Sequence, residues 1–407
     1  MYIKTIINQN KKPFYLLMND DGTKVEEVYR YILHLGRTGK SKNTLKNNAY
    51  NLKLYYDWLT IIDLNYLDIL RGKKDGSLKS TLEYLTDFLM WLKYGEMFNQ
   101  KVVSIDSRRK PIKAKRKNRT LNQIMSSIYG FYDFLSFTEK FPELEIYKTI
   151  RNNTQSHNVL SEMFLYRENI RSSVLKQRPE KQKIKYITRE QFWSVYKACS
   201  CRRDRIICGL LFDGALRVSE VCGLHIEDMA DIFENKLHIV KRDDPDNPDA
   251  AVKYDSTGSV FIPDYLKNEI ILYLNEISNV DTNYFVFTMY GDNKYSAMRT
   301  STIRDMIQRV GKKCGIKSLH PHQFRHGMAV EMANKIATES HNPDSAFYGL
   351  QMVDVKEKLR HSTMQATEIY ADVDLESKRK AAEEYYKQIN KDYTNDESLD
   401  DIAKKIL

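Results

Sequence analysis

Leu359-Arg360-His361-Ser362-Thr363-Met364-Gln365-Ala366-Thr367-Glu368-Ile369-Tyr370 is the stretch on which the reading of this chain turns. Ser362 followed three residues later by Gln365 is a capping-box signature. The spacing predicts a short helix from Ser362 that carries Tyr370 a little over two turns along. His361 then stands just outside the helix entry. A phenol at one end and an imidazole at the other converge on one phosphate if the preceding chain folds back over the helix. By itself, a short amphipathic helix ending in tyrosine is ordinary core or surface.

Working outward, a second block lies about forty residues upstream, His320-Pro321-His322-Gln323-Phe324-Arg325-His326. Proline at a first helical position after a polar residue marks a helix start. His322, Arg325 and His326, at i, i+3 and i+4, then share one face. Two imidazoles and a guanidinium at a helix N-terminus describe an anion site, because the unpaired backbone N–H groups and the helix dipole point the same way. The plainer alternative is a solvated or DNA-facing basic turn. Further upstream, Gly214-Ala215-Leu216-Arg217-Val218-Ser219-Glu220 places an arginine just after a glycine-bearing turn, with Glu220 three residues on to fix its fork by a charge-assisted bond.

Together the three blocks resemble the tyrosine recombinase family, the phage-integrase type of site-specific recombinase. Arg217 falls on the family's first arginine. His322 and Arg325 fall on its His-x-x-Arg pair, with Phe324 where leucine is usual, and His361 on its later histidine. Tyr370 falls on its nucleophile, nine residues after His361. Arg360 stands where the family commonly has glycine. The resemblance covers residues 187 to 371 with specific motifs and the N-terminal half more loosely. It implies a mainly α fold with a small β-sheet, in which an N-terminal helical DNA-clamping domain is joined to an α+β catalytic domain. It also implies a lysine presented to the scissile phosphate from a turn of that sheet. Lys253 fits best, ten residues before Pro263, and Lys241 is the rival. Glu220 and His326 are supporting residues.

Charge is distributed unevenly. Residues 1 to 185 hold 34 Lys+Arg against 19 Asp+Glu, and residues 186 to 407 hold 30 against 35, so the basic excess is entirely N-terminal. Phosphate neutralisation supplies most non-specific affinity for DNA, so this asymmetry suits a gripping half joined to a chemistry half. The densest run carries Arg108, Arg109, Lys110, Lys113, Lys115, Arg116, Lys117 and Arg119 within twelve residues and no acid. Such a run repels itself unless counter-charged, and a polyanionic duplex supplies the counter-charge. A solvated loop is the alternative.

Composition bounds the rest. A chain of 407 residues with 42% apolar residues suggests two or three domains with real cores. No apolar run approaches the ~18 residues of a membrane span and no leader opens the chain, so a soluble cytoplasmic protein is expected. The odd set Cys199, Cys201, Cys208, Cys222 and Cys314 reads as free thiols. A zinc site from Cys199, Cys201 and His225 lacks the usual C-x-x-C spacing, and no metal or cofactor is expected.

In chain order, Tyr2–Ile7 and Pro13–Met18 predict a hairpin, with a helix through Val25 and Leu33 completing an extension over residues 1–36. Stripes at Leu45, Ala49, Leu52, Tyr56 and Leu59, at Leu82, Leu85, Leu89 and Leu92, and at Leu121, Ile124, Ile128, Phe131 and Leu135 predict a domain of four or five helices over 37–179, which the resemblance implies is the core-DNA-binding domain. A basic linker over 176–186 leads to Thr188 and Gln191, a capping box that opens the catalytic domain of 180–371. Lys236–Val240 and Ser259–Ile262 are strand-like, and Ser340–Ser345 reads as an inserted loop. The tail, 372–407, carries apolar residues at helical spacing, among them Ala381, Ala382, Tyr385, Tyr386 and Ile389.

The residue types suit phosphodiester exchange. Planar guanidiniums at Arg217 and Arg325 are shaped to receive charge on nonbridging oxygens. Tyr370, a poor nucleophile near neutrality, needs cationic neighbours and a base. The expectation is a site-specific recombinase of a mobile element, acting through a 3′-phosphotyrosyl intermediate without metal or ATP. Its partners would be double-stranded DNA, an accessory directionality protein and, through the tail, three further copies in a tetramer on two sites. A type IB-like topoisomerase would use the same residues. A non-catalytic DNA-binding protein would need only the basic half and gives no reason for a phenol at that spacing.

Overall fold

The computed structural model describes residues 1–7, 13–71, 79–95, 116–139, 147–151, 169–180, 184–252, 257–364, 366–367 and 370. The chain divides into two units, Met1–Gln182 and Lys183–Leu407.

In the first unit, strands β1 (Tyr2–Ile7) and β2 (Pro13–Met18) pair antiparallel with Tyr2 opposite Met18. Helices α1 (Glu26–Arg37), α2 (Lys42–Ile61), α3 (Tyr66–Arg71), α4 (Thr81–Tyr94) and α5 (Asn118–Glu139) follow. Ser41 caps α2, and Ser80 with Glu83 forms a reciprocal capping box on α4. These caps satisfy amide donors that a helix start leaves open. The predicted stripes become the core: Leu45, Ala49, Leu52, Leu85, Leu89, Leu121, Ile124 and Ile128 are all buried, while Leu82 packs at the edge. Tyr15, Leu17, Val28 and Ile32 belong to that same core. The hairpin and first helix, set apart in sequence as an extension, therefore form a wall of the helical unit, because the period-2 pattern of β2 turns Tyr15 and Leu17 inward.

A short pair, β3 (Tyr147–Arg151) with β4 (Asn169–Ser173), was not predicted from sequence. The basic segment that follows is partly docked. Asn122 on α5 donates to the Gln177 carbonyl at 2.7 Å and accepts from the Gln177 amide at 2.8 Å.

The second unit opens on the Thr188–Gln191 capping box and contains α6 (Arg189–Ala198), α7 (Arg202–Phe212), α8 (Val218–Cys222), β5 (Lys236–Ile239), β6 (Gly258–Phe261), α9 (Asp264–Glu276), α10 (Thr300–Lys313), α11 (Pro321–Glu339) and α12 (Met352–Lys358). Residues 206–212 of α7 are buried without interruption, which makes it the central helix of the unit. Helix α11 lies across it so closely that a Cβ on Gly327 would stand 2.8 Å from the Phe212 ring at the end of α7, and 2.3 Å from the Ile187 carbonyl oxygen ahead of α6. Glycine is required there by approach, not by backbone conformation.

Strands β5 and β6 pair antiparallel, Lys236 opposite Phe261. The Asp- and Pro-rich segment between them is pinned to its surroundings. The Asn247 amide donates to the Cys222 carbonyl at 2.7 Å, Asp249 accepts from the Thr300 amide at 2.9 Å, and Ser219 Oγ donates to the Ala251 carbonyl at 3.0 Å. Among the described residues, no helix is long and apolar enough to cross a membrane. Among them too, no group of three or more His, Cys, Asp or Glu side chains could hold a metal ion.

Candidate active site

The site is assembled from three turns of the second unit. At the first, α7 ends and Ala215 adopts φ +50°, which swings the chain so that Arg217 becomes the N-cap residue of α8. Glu220, one turn on and 2% exposed, takes the Arg217 guanidinium on Oε1 at 2.6 Å and the Arg217 amide on Oε2 at 2.8 Å. The predicted i, i+3 pairing is therefore formed. Burial alone would raise the Glu220 carboxyl, but Arg360, the Arg217 amide and the Arg217 guanidinium hold it below its ordinary range.

The second turn is the start of α11. Pro321 occupies the first helical turn, and Gln323 reaches back to accept from the His320 amide at 2.7 Å. Arg325 is 1% exposed. Its two terminal nitrogens donate to the carbonyls of Ala215 and Leu359, and its Nε is buried without a hydrogen-bond partner. Burial, then the like charges of Arg217 and Arg360, bring its pKa down to about 9, which leaves it cationic at neutral pH. The rings of His322 and His326 meet edge to face with centroids 4.1 Å apart, as expected for i and i+4.

The third turn is Leu359–His361, which follows α12. Arg360 adopts φ +49°, and its side chain turns back to pair with Glu220. His361 Nδ1 lies 3.0 Å from the hydroxyl of Thr367, a fully buried residue, and the His361 ring stands parallel to that of Tyr370 at 6.3 Å.

Tyr370 closes the constellation. Its phenol is 2.7 Å from Nδ1 of His326. Burial, with the positive surroundings of His322, Arg325 and His361, holds the His326 pKa at about 3. The imidazole is thus neutral, and in its Nε2–H tautomer Nδ1 accepts from the phenol. Burial and the neighbouring arginines likewise hold His361 at about 4. Tyr370 is 2% exposed, and burial raises its pKa to about 12 against the lowering pull of Arg325 and Arg217. A buried, protonated phenol donating to a neutral imidazole, with two guanidiniums beside it, has the parts for phosphoryl transfer to tyrosine.

Residues 185–376 match the model of the phage integrase family. That stretch is a tyrosine recombinase domain of the phage-integrase type. Transposase A from transposon Tn554 of Staphylococcus aureus is 27% identical over 373 residues, 90% of this chain and 92% of that protein. Tyrosine recombinase XerA of Thermococcus onnurineus is 24% identical over 361 residues, 88% of this chain and 94% of its own. A crystal structure of the XerH site-specific recombinase bound to palindromic difH substrate shares the fold. Its TM-score is 0.51 at 14% identity, and the match covers 83% of this chain and 78% of that one.

The recombinase site holds residues that sequence reading left without a role. Arg360 was noted only as a departure from glycine; its positive φ shows why glycine suits the position. Thr367 was missed, although it sits three residues before Tyr370, the spacing that shares a helical face. The Ala215 and Leu359 carbonyls carry no sequence signal. Lys253 lies outside the described residues, as do Gln365 of the predicted capping box and the tail after Tyr370. The rival Lys241 is exposed beyond the end of β5. Of the basic run, Arg108, Arg109, Lys110, Lys113 and Lys115 lie outside the described residues, while Lys117 and Arg119 are exposed. Arg116 departs from expectation: its guanidinium donates to the Leu92 carbonyl at 2.7 Å, closing the C-terminal end of α4 instead of standing free for a phosphate.

Proposed function

We propose that this tyrosine recombinase is the site-specific recombinase of a mobile element, with Tyr370 as the nucleophile that becomes covalently joined to DNA. The observation that carries this reading is the Tyr370 phenol donating to His326 Nδ1 at 2.7 Å beside Arg217 and Arg325. The phenolic oxygen attacks the scissile phosphorus and its proton passes to His326. The P–O5′ bond breaks, leaving a 3′-phosphotyrosyl link and a free 5′-hydroxyl. Arg217 and Arg325 receive the charge that builds on the nonbridging oxygens, and His322 and His361 add hydrogen bonds. Lys253 protonates the departing O5′. Support for choosing it over Lys241 is that Ala251, two residues before it, is bonded to Ser219 one half-turn from Arg217. The covalent link retains the energy of the broken bond, so a new 5′-hydroxyl can rejoin the strand without ATP.

The same reading extends to partners. Double-stranded DNA at specific attachment sites is the substrate, and the basic N-terminal unit grips its backbone. Four copies pair two sites, with residues 372–407 docking from one protomer to the next in a closed ring. Deleting the chain after Lys378 then spares single-site binding and impairs pairing of sites.

The test is to map protein–DNA adducts on the sequences that flank the encoding gene. Adducts through Tyr370 at defined positions, with exchange between two sites, are expected. Relaxation of supercoiled DNA at scattered positions without exchange would replace the recombinase reading with a topoisomerase.

A further inference from the structure

Arg360 occupies a position that favours glycine and puts a third guanidinium on a site that already has two. Its φ of +49° is strained for an arginine, so the side chain has to return something for the backbone it disturbs. It reaches Glu220 Oε2 through one terminal nitrogen, while its Nε and other terminal nitrogen are buried without hydrogen-bond partners. An ordinary structural arginine satisfies its fork; this one spends a single donor on a carboxylate already serving Arg217.

The geometry gives that single donor a consequence. A carboxylate and a guanidinium left to themselves close two on two, each oxygen taking one N–H. Here Arg217 gives Glu220 only one terminal nitrogen, on Oε1 at 2.6 Å. Oε2 is taken by the Arg217 amide and by Arg360. The other terminal nitrogen of Arg217 makes only a long contact, 3.5 Å, to the carbonyl oxygen of Arg360 itself. Arg360 thus stands on both sides of the Arg217 fork, with its side chain blocking the second carboxylate oxygen and its carbonyl holding the spare donor loosely. It is also the residue before His361, so the same ion pair ties the histidine turn to the Arg217 turn.

Resting on the strand-transfer reading above, we infer that Arg360 is a positioning residue: it keeps Glu220 from capturing both donors of Arg217, and so reserves one terminal nitrogen of Arg217 for the scissile phosphate. Without Arg360, Oε2 keeps only the Arg217 amide and can take a second donor, so Arg217 closes both nitrogens on Glu220, and the phosphate loses a charge-assisted hydrogen bond that strengthens as the transition state forms.

The experiment measures the single-turnover rate of covalent adduct formation at saturating DNA. The substrate carries either the natural phosphate or an uncharged methylphosphonate at the cleavage position. Full-length wild type, Arg360→Gly and Arg360→Lys are compared. Arg360→Gly also relieves the positive φ, which favours folding. On phosphate it is expected to lose at least about tenfold in rate with DNA affinity unchanged, the size of one charge-assisted bond. The gap narrows on methylphosphonate, where less charge has to be received. Arg360→Lys, which keeps a cation on Oε2, recovers most of the rate. A glycine variant as fast as wild type would overturn the inference. So would an equal loss on both substrates that lysine does not repair, since mere loosening of the turn gives that pattern. Absence of any adduct from wild type would instead fell the strand-transfer reading on which the inference rests.

Discussion

Replacing Tyr370 with phenylalanine separates chemistry from binding and puts a number on the contact that organises the site. The substitution removes one oxygen from a ring that is 2% exposed. Covalent attachment to DNA is abolished because no other atom of the side chain can bond to phosphorus, and duplex binding stays within experimental error of wild type. The lost oxygen also donated to His326 Nδ1 at 2.7 Å. Removing one partner of a partly buried hydrogen bond costs about 1–2 kcal/mol, and the apolar environment that holds His326 neutral puts the site in that range. His326→Phe strands the phenol in the same way, whereas removing both partners together recovers part of the loss. A double-mutant cycle on thermal unfolding of the full chain is therefore expected to show a coupling of about 1 kcal/mol, or about 2–4 °C in Tm. A coupling of zero would mean that the phenol and imidazole are not bonded in solution. Adducts that persist in Tyr370→Phe would show that the nucleophile is misassigned.

Four further outcomes follow from particular contacts. Neutralising Lys117 and Arg119 is expected to flatten the slope of log K against log salt by up to about 2 on specific and random DNA alike; Arg116→Ala, which breaks the bond to Leu92, instead costs about 1–2 kcal/mol of stability, and an unchanged slope would place this run away from DNA. The histidine pKa values, about 3 for His326 and about 4 for His361 against an ordinary 6.5, mean that the folded state binds fewer protons than the unfolded chain. Their contribution to stability is present above pH 6.5 and is lost as pH falls through that window, so Tm drops between pH 7 and 4, less steeply in His326→Phe; equal slopes would contradict the burial argument. Lys253→Ala is expected to slow cleavage of ordinary DNA but not of a substrate with sulfur in place of the leaving O5′, which needs no proton, and the same result from Lys241→Ala alone would transfer the role. Gly327→Ala drives a methyl group toward the Ile187 carbonyl and the Phe212 ring, and is expected to cost about 1–3 kcal/mol in urea unfolding.

Local rules carried the sequence a long way. The helical stripes at Leu45–Leu59 and Leu121–Leu135 are legible because a helix that buries one face must repeat its apolar residues at that period. The cap at Thr188 is legible because it and Gln191 answer open amides within three residues of each other. The grouping of Arg217, Arg325 and Tyr370 came from the resemblance of their blocks to the tyrosine recombinase family, and the pairing of Glu220 with Arg217 from their i, i+3 distance.

What the tertiary structure alone decided is which groups face each other across distant parts of the chain. Arg325 is held by carbonyls of Ala215 and Leu359, and backbone oxygens look alike in every sequence. His326 was only a supporting candidate until α11 brought its Nδ1 to the phenol of Tyr370, 44 residues away. Arg360 looked like a loss of fit at a glycine position; the fold turned it into the second cation on Glu220, 140 residues upstream. Arg116 looked like one more charge for DNA until the end of α4 claimed it. Composition and spacing identify which chemistry a chain can perform, since they record residue type and local period. The pairing of donors with acceptors, and the burial that sets each pKa, exist only once distant turns pack together.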